Sequence, residues 1–360
     1  MITRFSIKNF KALRDITLDL TPRHVLIGPN DTGKTSILQA LYGFCQLDTI
    51  APALGFPSPY EELPTKGTSL AQFILDGEVE TCKHSVACKR VYRTRSEKVT
   101  IVDESYRLGV EPNMIRRPQL SADETRAITM SAQMYRWNPR HLALPVQLRA
   151  NRKFRMNQGG FGLAACLDDI LSYDYSRYGE LEKRFVSLFP HFKRIRLVTE
   201  AAYDVPDADD PQVVPSRSGE GKGIYFELHD ATSLVPASVA SDGALLVLAY
   251  LAILFMPEPP NLLLIEEPEN GIHPSRLAEV LTILRQLVGE QRHTQVIMTT
   301  HSPYVLDHFK PEEVTLCRRT EQGDVAVKRL SDSKRVREQL DVFTLGEIWT
   351  SEGDEAIAAS

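Results

Sequence analysis

The loop Gly28-Pro29-Asn30-Asp31-Thr32-Gly33-Lys34-Thr35 decides how this chain folds. It follows the apolar run Val25 to Ile27, which is typical of a buried strand, and it precedes residues that are apolar at helical spacing from Ile37 to Phe44. In a glycine-rich loop between a strand and a helix, backbone N–H groups and the positive end of the helix dipole attract a phosphate. The spacing G-x-x-x-x-G-K-T therefore predicts a nucleotide-binding loop, in which Lys34 reaches the β- and γ-phosphates and Thr35 ligates Mg²⁺. The alternative is an accidental glycine-rich turn, which the flanking strand and helix disfavour.

Two adjacent carboxylates follow a second apolar run. Leu262 to Ile265 is aliphatic throughout, and Glu266 and Glu267 come directly after it. Ligands of open α/β sheets bind at the carboxyl ends of the strands. We therefore expect Glu266 to hold Mg²⁺ through water and Glu267 to polarise the attacking water as general base. An ordinary strand followed by a polar turn is the structural alternative.

Two further motifs bear on the class of nucleotide site. Ser241-Asp242-Gly243 precedes the apolar run Ala244 to Met256, so that a helix start with a small hydroxyl is presented to an anion. A plain helix N-cap would have the same sequence. His301 follows the strand candidate Val296 to Thr300, where a sensor of the γ-phosphate would lie, although a lone histidine in that place can be structural.

The order of these motifs resembles the ABC-type ATPase heads of the SMC, RecF and OLD group. The resemblance rests on the phosphate loop, the serine-glycine signature, the segment Leu263 to Pro274 and Thr299-Thr300-His301-Ser302-Pro303. The opening Ile7-Lys8-Asn9-Phe10-Lys11 is also similar to the first strand of that group, in which a basic residue, here Lys11, reaches the nucleotide.

The resemblance implies a role for each motif. Gly28 to Ser36 becomes the Walker A loop, Glu266 and Glu267 the Walker B pair, Glu269 to Pro274 the D-loop and His301 the switch histidine. Ser241, Asp242 and Gly243 become the signature, which in such heads completes the ATP site of the other subunit. Two ATP molecules with Mg²⁺ are then sandwiched in a head-to-tail homodimer or a higher even oligomer.

Departures from the family pattern disfavour a transporter cassette and leave the hydrolysis rate open. Asp31 stands where glycine is usual, Glu266 replaces the more common aspartate, and Ala244 follows the signature where transporters have glutamine. Gln147 is a candidate for the Q-loop residue.

The alternation of strands with amphipathic helices, such as Ser275 to Val288, predicts an α/β fold with a parallel sheet. With the resemblance, the predicted fold is an ABC-type P-loop ATPase head with a mixed or parallel core sheet and an inserted antiparallel-β and helical lobe. The predicted boundaries are residues 1–47 and 224–350 for the core, 48–223 for the inserted lobe, and 351–360 for an acidic tail that frays. Within the lobe we expect a β meander at about 70–110 and a basic helical part at about 121–200.

Composition excludes several classes of protein. The chain of 360 residues is 42% hydrophobic and 25% charged, which is typical of globular proteins and unlike disordered ones. A net charge of -5 excludes a globally basic nucleic-acid binder. The odd number of cysteines, 5, does not fit a secreted disulfide framework, and Ala244 to Met256 is too short for a membrane span. These features predict a cytoplasmic protein with no membrane contact.

One local charge asymmetry makes nucleic acid a candidate ligand. Residues 125–167 contain no Asp or Glu. The candidate patch consists of Arg136, Arg140, Arg149, Arg152, Lys153 and Arg155. Arginines interleaved with aromatic residues can contact phosphates and stack on bases, but they could equally face the nucleotide or pack on acidic surface elsewhere.

Three functions are consistent with this sequence. The first is a Mg-dependent ATPase that senses or clamps nucleic acid and controls a separate effector protein, a nuclease or toxin. The resemblance implies that its setting is bacterial anti-phage defence. The second is a RecF-like DNA repair ATPase. The third is an ATP-binding regulatory scaffold with little hydrolysis. We expect the effector to be separate because the segment after His301 is too short for the nuclease domain that OLD proteins append.

Overall fold

A computed structural model describes residues 1–45, 72–80, 85–95, 98–108, 115–116, 130–148, 156–204, 217–289 and 294–360. The strands are β1 (Ile2–Phe10), β2 (Leu13–Asp19), β3 (Arg23–Ile27), β4 (Gln72–Glu80), β5 (Ser85–Arg95), β6 (Lys98–Leu108), β7 (Ile115–Arg116), β8 (Ala132–Tyr135), β9 (Phe192–Tyr203), β10 (Arg217–Leu228), β11 (Val235–Pro236), β12 (Leu262–Glu266), β13 (Gln295–Thr299), β14 (Val314–Arg319) and β15 (Val325–Arg329). The helices are α1 (Lys34–Cys45), α2 (Pro139–Leu142), α3 (Leu163–Tyr173), α4 (Tyr175–Leu188), α5 (Asp242–Phe255), α6 (Pro274–Val288), α7 (Pro303–Leu306), α8 (Lys334–Gln339) and α9 (Leu345–Ala359).

The chain divides into two compact units. The first unit consists of Met1–Met134, Pro260–Pro268 and Val288–Ser360, and the second of Tyr135–Pro259 and Glu269–Leu287. This division differs from the boundaries expected from the sequence, because strands β4 to β7 belong to the first unit together with the Walker A loop.

The first unit contains the parallel sheet predicted from the strand and helix alternation. Its strand order is β15-β14-β3-β13-β12-β8. Strand β13 is parallel to β12 and β3, β14 is parallel to β3, and β15 is antiparallel to β14 at one edge. Every residue of β12 and β13 is buried, as expected for strands covered on both faces. This arrangement brings the carboxyl ends of β3, β12 and β13 to the same edge of the sheet, where Walker A, Walker B and His301 follow.

A second sheet of the first unit is antiparallel, in the order β2-β1-β4-β5-β6-β7. Strands β4 to β6 lie in the region where the sequence predicts a meander, and they extend the sheet begun by β1, because β4 pairs with β1 over residues Ile2 to Lys8. The ring of Phe44 at the end of α1 fills the place of a side chain at Gly77 of β4, whose added Cβ would lie 2.7 Å from that ring. The helix that starts at the Walker A loop is therefore packed on this sheet.

The second unit has a sheet in the order β11-β10-β9 and the helices α2 to α6. The predicted buried helix is confirmed as α5, in which every residue from Ala244 to Leu254 is buried. Phe185 of α4 lies 5.3 Å from Phe192 and 5.7 Å from Phe226 between ring centroids, which joins helix and sheet. None of the helices in the described segments is long and apolar enough to cross a membrane.

The acidic tail was expected to fray, but the structure places it in a helix. Residues 351–359 belong to α9, whose helical run bends at Gly353, with φ of 76°. Ile357 is fully buried, and the Ser360 hydroxyl lies 2.5 Å from that of Ser333. Burial of one apolar residue and hydrogen bonding at the last residue hold this segment, and composition alone does not reveal either.

Candidate nucleotide-binding site

The Walker A loop has the backbone conformation that its glycines allow. Gly28 and Gly33 have φ of 131° and 82°, values that side chains disfavour. A Cβ at Gly28 would also lie 2.0 Å from the carbonyl oxygen of Cys317. Both glycines are therefore required by the close packing of this loop.

Lys34 is turned into the loop and is 6% exposed. Its Nζ donates hydrogen bonds to the carbonyl oxygens of Gly28 (2.8 Å) and Pro29 (2.6 Å). Burial lowers the pKa of Lys34, and the negative charge of the Glu267 carboxylate partly counteracts this effect. An anion at the loop would favour the charged lysine further.

Lys11 occupies the turn between β1 and β2 with φ of 52°. Its Nζ donates to Oε1 of Gln39 in α1 at 2.5 Å. Burial lowers the pKa of Lys11 to about 7, opposed by the charge of Glu266. A second cation therefore lies in the electrostatic field of the Walker B carboxylate.

The Walker B pair ends β12. Glu266 is the last residue of this strand and is 9% exposed. Glu267 has φ of 48°, and its N–H donates to the carbonyl oxygen (3.0 Å) and the hydroxyl (3.3 Å) of Thr299 on the neighbouring strand β13. The left-handed conformation of Glu267 ends the regular strand directly after Glu266.

His301 and Glu267 meet at the carboxyl edge of the sheet. His301 Nε2 lies 3.4 Å from Glu267 Oε1, and the two side chains are 33% and 32% exposed. Two residues separated by more than thirty positions in the sequence are thus placed together with access to solvent. The pair can orient a water molecule and respond to a nearby phosphate.

The donor set of the first unit fits a magnesium nucleotide. Lys34 and Lys11 offer positive charge, and the start of α1 offers backbone N–H groups. Thr35 is exposed and Ser36 is half-buried at this helix start. Their hydroxyl groups and the Glu266 carboxylate are the oxygen ligands that Mg²⁺ prefers.

The signature and D-loop residues lie in the second unit. Ser241 is the N-cap of α5, and its Oγ accepts a hydrogen bond from the N–H of Ala244 at 3.3 Å. Ser241 and Asp242 are exposed, so that the N-cap is presented to solvent. A Cβ at Gly243 would lie 3.5 Å from the carbonyl oxygen of Gly271 in the D-loop segment, which places these two motifs side by side.

The basic patch is described only in part. Arg136 and Arg140 are exposed in the second unit, near the start of α2. Arg149, Arg152, Lys153 and Arg155 lie outside the described residues. Gln147 lies in the second unit and donates its N–H to the carbonyl oxygen of Tyr203 at 3.0 Å, so its assignment to a Q-loop stays a prediction.

Sequence reasoning missed the hairpin β14–β15 as part of this site. Cys317 of β14 contacts Gly28, and a Cβ at Gly33 would lie 2.9 Å from Val325 of β15. The hairpin therefore lies along the Walker A loop. The sequence contains no signal for this contact, because the partners are almost 290 residues apart and the hairpin residues belong to no motif.

Comparison with known proteins connects this geometry to a class of ATPase. A family model described as "AAA ATPase domain" matches residues 1–112. Another, described as "AAA domain, putative AbiEii toxin, Type IV TA system", matches residues 162–307. A segment of 41 residues is 49% identical to an OLD nuclease of Thermus scotoductus. This segment spans 11% of the chain and only 8% of that nuclease.

Solved structures show the same fold. An SMC head bound to the C-terminal winged-helix domain of ScpA has a TM-score of 0.59 at 14% identity, over 91% of this chain and 98% of that one. An SMC head domain with an extended coiled coil, bound to the C-terminal domain of ScpA derived from Pyrococcus furiosus, has a TM-score of 0.52 at 13% identity, over 94% and 99% of the two chains. The predicted mixed α/β head fold is confirmed.

Proposed function

We propose that this chain, which resembles P-loop ATPases of the SMC/RecF/OLD-like kind in its motifs and its fold, binds ATP with Mg²⁺ and hydrolyses it. In this proposal ATP joins two copies head to tail, as a homodimer or a higher even oligomer. The ATP-bound assembly senses or clamps nucleic acid and controls a separate effector protein in the cytoplasm.

The observation that carries the proposal is the pairing of Glu267 with His301 at 3.4 Å, in the unit that also holds Lys34. Glu267 acts as the general base that polarises the attacking water. His301 holds the Glu267 carboxylate in place and senses the γ-phosphate. Lys34 and Lys11 neutralise the phosphates, and Thr35 and Glu266 hold Mg²⁺, which offsets the charge of the phosphates.

The exposed start of α5 supports a role in a second subunit. Ser241, Asp242 and Gly243 present a small hydroxyl and helix N–H groups that suit a phosphate. In the proposed assembly they complete the nucleotide site of the other copy. Nucleotide binding then favours the dimer, and hydrolysis favours its release.

The biological setting is proposed from the names of the similar proteins. The family model for residues 162–307 names a toxin of a toxin–antitoxin system, and the matched relative is a nuclease. Both names favour a role in anti-phage defence, with a nuclease or toxin as the effector. Arg136 and Arg140 are exposed and suit a nucleic-acid phosphate backbone.

The test replaces Glu267 by Gln, which keeps the shape of the side chain and removes the base. We expect at least about a hundredfold lower phosphate release. We also expect ATP binding to be retained and an ATP-dependent dimer to persist in size-exclusion chromatography with light scattering. Lys34→Ala should lose ATP binding, and Glu312→Gln, an exposed substitution in the same unit, should behave as wild type.

The same measurements separate the alternatives. Unchanged phosphate release by Glu267→Gln would contradict hydrolysis at this site. The chain would then be better explained as an ATP-binding regulatory scaffold. A dimer that hydrolyses ATP on DNA, without any effector partner encoded beside it, would favour the RecF-like repair function.

A further inference from the structure

The strongest unassigned feature lies beside the Walker A loop, at Arg319. This residue ends β14 and belongs to none of the sequence motifs, and its side chain is 46% exposed. Its Nε donates to the carbonyl oxygen of Asp31 at 2.7 Å, and its Nη1 donates to the carbonyl oxygen of Gly323 at 3.1 Å. One guanidinium therefore connects the turn of the β14–β15 hairpin to the Walker A loop.

Asp31 has a backbone conformation that requires support. Its φ is 68°, in the left-handed region where residues with a Cβ are disfavoured and glycine is not. Packing of the Asp31 side chain does not supply that support, because this side chain is 93% exposed. Its Oδ2 lies 4.0 Å from Arg319 Nη2, at the outer limit of an ion pair. The short hydrogen bond to the Asp31 carbonyl is therefore the stronger of the two contacts with Arg319.

A bond to this carbonyl fixes more than one atom. The peptide group is planar, so the direction of the Asp31 carbonyl sets the direction of the Thr32 N–H on the opposite side of the same plane. That N–H belongs to the loop whose amide groups surround a phosphate. Arg319 is itself held by a rigid turn, in which Gly323 N–H donates to Thr320 O at 2.9 Å and Thr320 N–H donates to Asp324 O at 2.8 Å.

We propose that Arg319 is a positioning residue, which holds the Walker A loop in its phosphate-binding conformation by fixing the left-handed peptide at Asp31. A glycine at position 31 would adopt this conformation without support, whereas Asp31 needs the hydrogen bond from Arg319. The inference rests on the proposed nucleotide site, and it assigns the hairpin β14–β15 a part in nucleotide affinity.

The test is a double-mutant cycle measured as the Kd of a fluorescent ATP analogue. Arg319→Ala should weaken binding about tenfold in the wild-type background. In the Asp31→Gly background, the same substitution should weaken binding no more than about twofold, because glycine no longer needs the support. Equal losses in the two backgrounds would overturn the proposal, since Arg319 would then act on the nucleotide directly.

A matched control removes a different arginine, which contacts the same hairpin but does not contact the Walker A loop. Arg14 Nε lies 3.3 Å from Asp324 Oδ1, and its side chain is 60% exposed. Arg14→Ala should leave the Kd within about twofold of wild type. All variants should keep the thermal unfolding midpoint of the wild type, which separates a local effect on the loop from general instability.

A second measurement does not depend on nucleotide. Amide hydrogen exchange of a peptide covering residues 28–36 should be faster in nucleotide-free Arg319→Ala than in wild type or Arg14→Ala. Equal exchange in the three proteins would overturn the proposal even if no nucleotide bound. If Lys34→Ala loses binding of the ATP analogue but Arg319→Ala binds it as wild type does, only the inference about Arg319 is contradicted. If the wild type does not bind the analogue, the proposed function is contradicted.

Discussion

Backbone strain at single residues is concentrated at the candidate site. Among the described residues, the non-glycine positions with positive φ are Asn9, Lys11, Asp31 and Glu267. Three of these four are residues that the sequence assigns to nucleotide binding or catalysis. Such conformations cost free energy and persist only where the surroundings hold them, so they are typical of functional sites.

His24 is a single residue that makes stability depend on pH. It is fully buried in β3, with Nδ1 3.1 Å from the Thr21 hydroxyl and Nε2 2.9 Å from the Thr315 hydroxyl. The Thr21 hydroxyl donates to Arg23 O at 2.6 Å, so it accepts from His24 Nδ1–H, and Nε2 accepts from Thr315. Burial, with a smaller effect of Arg329, lowers the pKa of His24 to about 3.

We predict acid sensitivity from this residue. Because the pKa of His24 is lower in the folded than in the unfolded protein, the unfolded protein binds the extra proton between pH 6.5 and 3. The free energy of unfolding should therefore fall by about 2 kcal/mol between pH 7 and pH 5 in urea titrations. His24→Gln should reduce this dependence, although it lowers the overall stability. His229→Gln, at an exposed position, is the control and should keep the wild-type slope. An unchanged slope in His24→Gln would contradict the assignment.

At the scale of elements, both ends of α1 are held by other parts of the first unit. The helix begins at the Walker A loop, and at its other end Arg90 Nη1 of β5 donates to the carbonyl oxygen of Phe44. Arg90 is fully buried, and its Nε donates to Glu104 Oε1 of β6 at 2.6 Å. A cation at the helix C-terminus also interacts favourably with the helix dipole. The antiparallel sheet is thus tied to the helix that carries Lys34.

We predict that Arg90→Leu destabilises the first unit. It removes the partner of Glu104 and leaves the Phe44 carbonyl without this donor, for a loss of about 3 kcal/mol in the free energy of unfolding. Urea unfolding followed by circular dichroism measures the change. The control is Arg93→Leu on the exposed side of the same strand, which should change stability by about 0.5 kcal/mol or less. A loss as small as the control would contradict a structural role for the Arg90 contacts.

At the scale of the whole molecule, each unit holds part of the motif set. Walker A, Walker B and His301 lie in the first unit, whereas Ser241 to Gly243 and the D-loop residues 269–274 lie in the second. The proposed head-to-tail assembly makes use of both, because each nucleotide site then combines the first unit of one copy with the signature of the other.

This arrangement predicts the effect of a large side chain at the signature. Ser241→Arg should abolish ATP-dependent dimerisation and lower phosphate release at least about tenfold. The ATP affinity of the monomer should be unchanged, as measured by light scattering and nucleotide titration. Ser187→Arg, at an exposed position of the same unit, is the control. Mixing the Ser241→Arg and Lys34→Ala proteins should restore part of the phosphate release. In a mixed dimer, the intact Walker A loop of one copy can meet the intact signature of the other. If no activity is restored, the signature does not act in the other subunit.

The sequence by itself determined the features that depend on local patterns. The Walker A loop, the strand before Glu266, the buried helix after Ser241 and the parallel sheet were all predictable, because loop spacing, apolar runs and strand–helix alternation involve neighbours along the chain. Lys34, Thr35, Glu266 and Glu267 were predicted as site residues for the same reason, whereas the roles of Lys11 and of Ser241 to Gly243 in a second subunit follow from the family resemblance.

Only the tertiary structure decided which distant residues meet. The pairing of β4 with β1, the contact of Glu267 with His301, the bond from Arg319 to Asp31 and the helix that ends the described chain all depend on such contacts. Hydrogen bonds and packing between residues up to about 290 positions apart leave no periodic trace in either segment. Candidate nucleotide-binding and catalytic residues can therefore be predicted from the sequence, whereas the contacts that orient their side chains depend on the fold.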